Sequence, residues 1–215
     1  VPQPLLDLPA DTLEALLDNV AINWLANDGV WFQAVEFNHG MNDAKRCNDS
    51  CWAQFSPFEA WSIRRFLGDE LAPGLEGLKQ ALNLRVYGRI NRQSFEDDGP
   101  RAFIFRMDEC RVQSARKRKG LEDYPCKSAG LVEYAYFARA IDSRIQTECI
   151  GCPPDAHPEA LLRLGVPAFE LSLFALAGLV GRRAQAVQLF YGERASRAEV
   201  ARRLGMKETG VKTLL

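Results

Sequence analysis

Asp97-Asp98-Gly99-Pro100-Arg101-Ala102-Phe103-Ile104-Phe105-Arg106-Met107-Asp108 is the stretch that decides the fold class. Its first four residues are a turn signal. Phe103, Phe105 and Met107 then alternate with Ile104, Arg106 and Asp108, the period of a strand with one buried face. Upstream, Leu84, Val86, Arg89 and Ile90 read as the partner strand, which predicts a long antiparallel hairpin. Downstream, the spacing predicts a helix over 128–141 with Leu131, Tyr134, Ala135 and Ala138 on its apolar face, then a short strand over 145–149 closing into Gly151-Cys152-Pro153-Pro154.

The segment before the hairpin is helical and acidic. Asp11 followed by Glu14 is a helix-start signal, and Leu13, Leu16, Leu17, Val20 and Trp24 recur at helical spacing. Asp28-Gly29 is expected to end that helix, 31–37 to form a second short run, and Asn38-His39-Gly40 to break the chain before a third helix over 43–67. After the last strand, Pro158 and Pro167 flank an expected short helix over 159–164, and an apolar run covers 169–180. Helices followed by β-β-α-β give an α+β fold: N-terminal helices packed on a small antiparallel sheet, then an all-α C-terminal segment. The expected division is 1–155 and 156–215, with 153–158 as the linker.

With 215 residues, 47% of them hydrophobic, the chain can bury a core without staples. A formal charge of −1 excludes a polycation or an acidic solvating chain, so partner preference rests on local patches such as the basic stretches 101–119 and 182–212. No run reaches the roughly twenty apolar residues of a membrane span, and 1–4 carry no signal-peptide pattern. The expectation is a cytoplasmic protein with reduced thiols, in which the six cysteines serve metal, redox chemistry or burial rather than a disulfide framework.

At the C-terminus, Ser196-Arg197-Ala198-Glu199 is a capping box, followed by apolar Val200, Ala201 and Leu204, then Gly205, then a helix from about Lys207 with Val211 and Leu214 inward. Two short helices meeting at a Gly turn form a helix-turn-helix. Over 187–215 this segment resembles sigma-factor region four and related response regulators, which implies DNA as a partner; the limited reach of a single short helix-turn-helix predicts a homodimer. Arg202 and Arg203 would meet phosphates, with Lys207, Glu208, Thr209 and Lys212 at bases or phosphates. A helical hairpin that packs on the core or dimerises is the alternative.

Cys149 and Cys152 have the spacing of a chelating pair in a Gly-containing turn. Cys110 on the second hairpin strand and Cys126 before the helix would complete four thiolates for zinc or an iron-sulfur cluster, with His157 in reserve. Reversible thiol chemistry and plain structural burial are the alternatives. Cys47 and Cys51, four apart beside Ala44 and Phe55, read as core residues, and His39 as a surface residue. Arg106, Arg111, Arg116 and Lys117 form either a basic site for a small anionic ligand or a solvated basic edge strand. Glu133 is a candidate base, although a lone helical Glu is usually solvated.

Around Arg106-Met-Asp-Glu-Cys110, Tyr124-Pro-Cys126 and Glu148-Cys-Ile-Gly-Cys152, the chain resembles an uncharacterised family of bacterial and archaeal cytosolic proteins, over about 13–155. That family is distantly similar to L-2-amino-thiazoline-4-carboxylic acid hydrolase-like proteins and to the 4-vinyl reductase domain. The resemblance implies a ligand pocket with cysteines near it. Two functions follow as expectations: a ligand, metal or redox sensor with a DNA-binding end, or a hydrolase or thiol-dependent enzyme, for which no Ser-His-Asp triad is visible.

Overall fold

The computed structural model describes residues 7–152 and 160–166, positions 186 and 189, and residues 195–214. The expected linker 153–158, His157 and the apolar run 169–180 lie outside the described residues. In chain order the elements are α1 (Ala10–His39), α2 (Met41–Leu67), a 3-10 turn (Gly68–Glu70), α3 (Gly74–Leu84), α4 (Val86–Ile90), β1 (Arg92–Asp97) and β2 (Ala102–Glu109). They continue with α5 (Arg111–Arg118), α6 (Lys127–Ile141), β3 (Gln146–Gly151), β4 (Ala160–Gly165), α7 (Arg197–Arg203) and α8 (Glu208–Leu214). This is the expected α+β class.

The hairpin forms around the predicted turn: Asp98 N donates to Ala102 O at 3.0 Å, and Gly99 takes the left-handed conformation (φ 73°) the turn requires. β2 then pairs antiparallel with β1 on one side and β4 on the other, in a sheet of order β1-β2-β4-β3. Phe103, Phe105 and Met107 face inward as their alternation demands, opposite Leu164 and Leu162 of β4. Onto this face α2 brings Ala60 and Ile63, α3 brings Leu78, Ala81 and Leu82, and α6 brings Tyr134, Phe137, Ala138 and Ile141. Burying each large side chain contributes about 1.5–3 kcal/mol.

Four expectations are corrected. The first helix does not end at Asp28-Gly29 but runs for 30 residues to His39. An interior Gly costs about 1 kcal/mol. That is less than the packing on either side supplies, where Trp24 meets Trp52, Phe55 and Tyr87 at ring separations of 6.3, 5.6 and 5.7 Å and Phe32 meets Tyr124 at 5.2 Å. Gly40, at φ 86°, makes the break.

The segment from Leu84 to Ile90, expected as a strand, is helical on both sides of an extended Arg85 (ψ 150°), and β1 begins at Arg92. Its apolar residues fit either period; in the helical form Tyr87 is buried against Trp24 and Trp52. Cys110 lies beyond β2, at the N-cap of α5, so the basic stretch after it is a helix and not an edge strand.

The expected helix over 159–164 is β4, an interior strand flanked by β2 and β3, with Leu162 and Leu164 buried around an exposed Arg163. Its apolar-polar alternation is the strand period. The sheet is therefore completed beyond the expected boundary at 155, and the α+β unit reaches at least Val166.

At the C-terminus Ser196 Oγ accepts from Glu199 N at 3.2 Å, the expected cap, and Gly205 takes φ 60° in the turn. Val200, Ala201 and Val211 are buried with Ala186 in a cluster separate from the sheet core. Two short helices joined through a Gly turn are thus realised over 196–214. Among the described residues no helix is long and apolar enough to cross a membrane.

Candidate functional site

A cavity of about 590 Å³ opens among α1, α2, α4, α5 and α6 and the inner face of the sheet, and Cys110, Cys126, Cys149 and Cys152 all line it. Each thiol arrives from a different point of the fold or by a local irregularity. Cys110 caps α5 and Cys126 caps α6. Cys149 and Cys152 lie at the end of β3, not in the tight turn expected of them. In a regular strand a spacing of three places two side chains on opposite faces. Here Cys149 opposes Leu162 and Gly151 opposes Leu161, so Ile150 is an extra, bulged residue, 45% exposed. The bulge resets the alternation and brings Cys152, 3% exposed, to the cavity side with Cys149.

The loop carrying Cys126 is pinned. Gln113 Nε2 donates to Tyr124 O at 2.7 Å and Gln113 Oε1 accepts from Tyr124 N at 2.9 Å. Lys45 Nζ donates to Ser128 Oγ at 2.8 Å and also to Pro125 O, and Asn48 Nδ2 donates to Tyr124 Oη at 2.8 Å. Gln113 Nε2 approaches Cys126 Sγ at 3.9 Å. Burial pushes the Cys126 thiol up to about 11, with the nearby Cys110 adding to the shift. Burial likewise raises Cys110. Both thiols are protonated at neutral pH, whatever their N-cap positions contribute in the other direction.

Behind the thiols lies a buried ionic group that the sequence did not announce. Arg85, 2% exposed, places Nε 2.8 Å from Glu59 Oε2 and Nη2 2.7 Å from Glu133 Oε1. The rings of Trp52, Tyr87, Tyr134 and Phe137 surround its guanidinium at 5.7, 5.5, 5.4 and 4.8 Å. Burial opposes its charge, yet the fields of Glu59 and Glu133 hold it protonated beyond its ordinary range. Glu133 lines the cavity, and burial raises its carboxyl despite Arg85; Asp28, on the same cavity, is raised by burial too. The expected solvated Glu133 is therefore a buried, paired one. Arg85 was legible only as a lone cation inside the apolar run Leu82-Asn83-Leu84-Arg85-Val86-Tyr87.

The three arginines assigned to an anionic ligand are dispersed. Arg111 lines the cavity. Arg116 also lines it but is committed to Glu36, its Nη1 and Nη2 donating to Oε2 and Oε1 at 2.7 and 2.8 Å. Arg106, on β2, faces Glu96 at 3.5 Å and Asp108 at 4.0 Å. Cys47 and Cys51 are exposed on α2, not in the core, and His39 is exposed at the end of α1.

In the C-terminal helix pair, Lys207 and Thr209 are exposed at the start of α8, while Arg202 and Arg203 both pair with Glu199, the latter at 2.9 Å. Lys212 falls within α8.

The fold and site define an α+β protein with a thiol-lined cavity and a pair of short helices near its C-terminus. The chain belongs to a family of unknown function (DUF6125), whose model matches residues 6–164. The match ends in β4, so it spans the sheet and its helices. No curated protein and no solved structure matches the chain.

Proposed function

We propose that this protein is a cytoplasmic sensor of a small ligand, a metal or redox state, in which the thiol-lined cavity is the receptor and the C-terminal helix pair binds DNA as a transcriptional regulator. The observation that carries the reading is the gathering of Cys110, Cys126, Cys149 and Cys152 on one cavity. Its volume of about 590 Å³ falls within the span of small-molecule sites, roughly 300–1,000 Å³.

Zinc or an iron-sulfur cluster accepts four thiolates, so the donor types fit. The arrangement is not a ready coordination shell: among the described residues no three His, Cys, Asp or Glu side chains stand where they would hold a metal ion. A metal would have to draw the thiols inward and displace their protons. Arg111, at the cavity, is the residue best placed to meet an anionic group of an organic ligand. A homodimer fits the exposed Val30, Trp31 and Phe37 along α1.

A thiol-dependent enzyme acting on a small molecule is the second reading. Glu133, a raised carboxyl on the same cavity as Cys110, favours it, because such a group can carry a proton to or from a reacting atom.

The test is metal and iron analysis of protein purified anaerobically, wild type against Cys149→Ser/Cys152→Ser, followed by retention on duplex DNA across a salt series. Bound metal lost in the double variant, and retention that falls linearly in log-log form with salt, support the sensor. Absence of DNA retention at low salt overturns it, and turnover abolished by thiol alkylation would favour the enzyme.

A further inference from the structure

We propose that the ligand of the cavity is a small organic cation, a protonated amine whose ammonium pairs with Asp28 and whose apolar body lies against bare helix backbone at Gly29 and Gly130. The inference rests on the sensor reading above and names the chemistry of what is sensed.

Asp28 is the carboxylate on this cavity left over for a ligand. It stands on α1 four residues after Trp24 and four before Phe32, so the three share one helix face. That face is turned inward, since Trp24 packs on Tyr87 at 5.7 Å and Phe32 on Tyr124 at 5.2 Å. Among the described residues no hydrogen bond or ion pair reaches the Asp28 side chain, whereas Glu133 on the same cavity is held by Arg85 Nη2 at 2.7 Å. Of the other two acids on the lining, Asp108 lies 4.0 Å from Arg106 and Glu109 is exposed. Glu59 and Glu133 together bring two carboxylates to the one Arg85 guanidinium, so the buried group behind the cavity has no surplus positive charge to repel an ammonium. The rings of Trp52, Tyr87 and Tyr134 line the cavity as well, and aromatic faces attract a cation. The lining's own cations belong to residues 111–119 and to Lys127 at the start of α6, and none is within ion-pairing distance of Asp28. Burial raises the Asp28 carboxyl, and a bound cation would hold it ionised.

Gly29 and Gly130 make room for the rest of the molecule. Both lie inside helices, where Ala is favoured over Gly, and both line the cavity. A Cβ placed on either meets no atom within 4 Å. Packing therefore does not demand glycine at these two positions, in contrast to Gly77, whose Cβ would stand 2.0 Å from Ala72 O. Their neighbours one turn away carry side chains onto the same cavity: Leu25 and Gln33 on α1, Cys126 and Tyr134 on α6. Each glycine is thus a notch in an otherwise lined wall, where a ligand can approach the helix backbone closely. Gly29 directly follows Asp28, so an ammonium at that carboxylate brings its carbon chain against the first notch.

The full-length protein, kept reduced, is titrated with phenethylammonium, its neutral isostere phenethyl alcohol and its anionic analogue hydrocinnamate. Binding is read by calorimetry and by tryptophan fluorescence, because Trp52 lines the cavity. The expected result is saturable binding of phenethylammonium, about tenfold or more tighter than either analogue, the ratio that a charge-assisted hydrogen bond supplies. Asp28→Asn should erase that preference and leave binding of the alcohol in place. Gly29→Ala and Gly130→Ala should weaken phenethylammonium binding while the urea midpoint stays level or rises. Equal or tighter binding of the alcohol or of hydrocinnamate, no saturable binding of the amine, or a preference that survives Asp28→Asn overturns the cation site; the three wild-type titrations decide this even if a variant folds badly. Undiminished amine binding in both glycine variants overturns the notches. DNA retention measured with and without phenethylammonium separates the two proposals. Saturable amine binding with no DNA retention in any sample keeps the cation site and removes the regulator, whereas retention without amine binding does the reverse.

Discussion

Replacing Arg85 by Met tests the buried ionic group directly. Methionine occupies a similar volume among Trp52, Tyr87, Tyr134 and Phe137, so the main loss is the cation that faces Glu59 and Glu133, whose side chains are only 11% and 13% exposed. Removing one partner of a buried ion pair costs about 3–5 kcal/mol, because the other is left uncompensated. The pH dependence has a definite sign. Glu133 is already raised by burial with Arg85 present, and Arg85 is what lowers it; without Arg85 its carboxyl rises further. A folded-state pKa above the unfolded one means stability is fully present below the unfolded value and is lost as pH rises through the folded value. The variant should therefore be hurt more at pH 7 than at pH 5, with each unit of upward shift contributing about 1.4 kcal/mol to the difference. Urea unfolding followed by tryptophan fluorescence reads this, since Trp52 lies at the guanidinium and Trp24 packs on Trp52. Adding Glu133→Gln should recover part of the loss at pH 7 and flatten the pH profile. A loss below about 1 kcal/mol, or one equal at the two pH values, would refute the reasoning.

Glu36 behaves with the opposite sign: hydrogen bonding from Arg116 holds its carboxyl below the usual range, so its contribution is present above the ordinary carboxylate pKa and is lost as pH falls through the lowered one. Glu36→Gln should cost about 3 kcal/mol at neutral pH in urea titrations and weaken the acid sensitivity of unfolding. With a thiol at about 11, Cys126 should alkylate slowly at pH 7, where roughly one in ten thousand is thiolate, and about tenfold faster per pH unit; peptide mapping of iodoacetamide labelling would disprove this by finding Cys126 the fastest site at pH 7. Gly77→Ala should destabilise the fold by about 1–3 kcal/mol or more, because its new Cβ would stand 2.0 Å from Ala72 O, a backbone atom; an unchanged midpoint in thermal unfolding counts against the packing described. Ser196→Ala should cost about 1 kcal/mol in the C-terminal helix pair, seen as faster hydrogen exchange at Glu199 N and its neighbours.

The turn and β2 were legible because both signals are local: a Gly in a turn that needs positive φ, and a strand whose period survives over six residues from Phe103 to Asp108; the partner strand was placed too early in the chain. The N-terminal helices and the capping box at Ser196 were legible for the same reason. Arg85 and Glu133 were not, because their meaning comes from a contact between α6 and the extended residue between α3 and α4, and no periodicity encodes that. Gly29 misled because a local breaker was outweighed by ring contacts made far along the chain. β4 was hidden between two prolines, with an alternation only three residues long from Leu162 to Leu164 and a need for β2 and β3 that appears only in three dimensions. The four thiols were singled out by spacing, and the structure sets all four along one cavity. The tight turn imagined for two of them was wrong in form.

Ile150 gives that last point a wider consequence. Along a strand, side-chain direction is a matter of parity, and one supernumerary residue flips the parity of all that follows it. Deleting Ile150 would remove the bulge yet leave Cys152 two residues after Cys149, on the same face, whereas inserting one residue between Gly151 and Cys152 would turn Cys152 out of the cavity. In this molecule whether Cys149 and Cys152 share one cavity is thus governed by whether a residue count is odd or even.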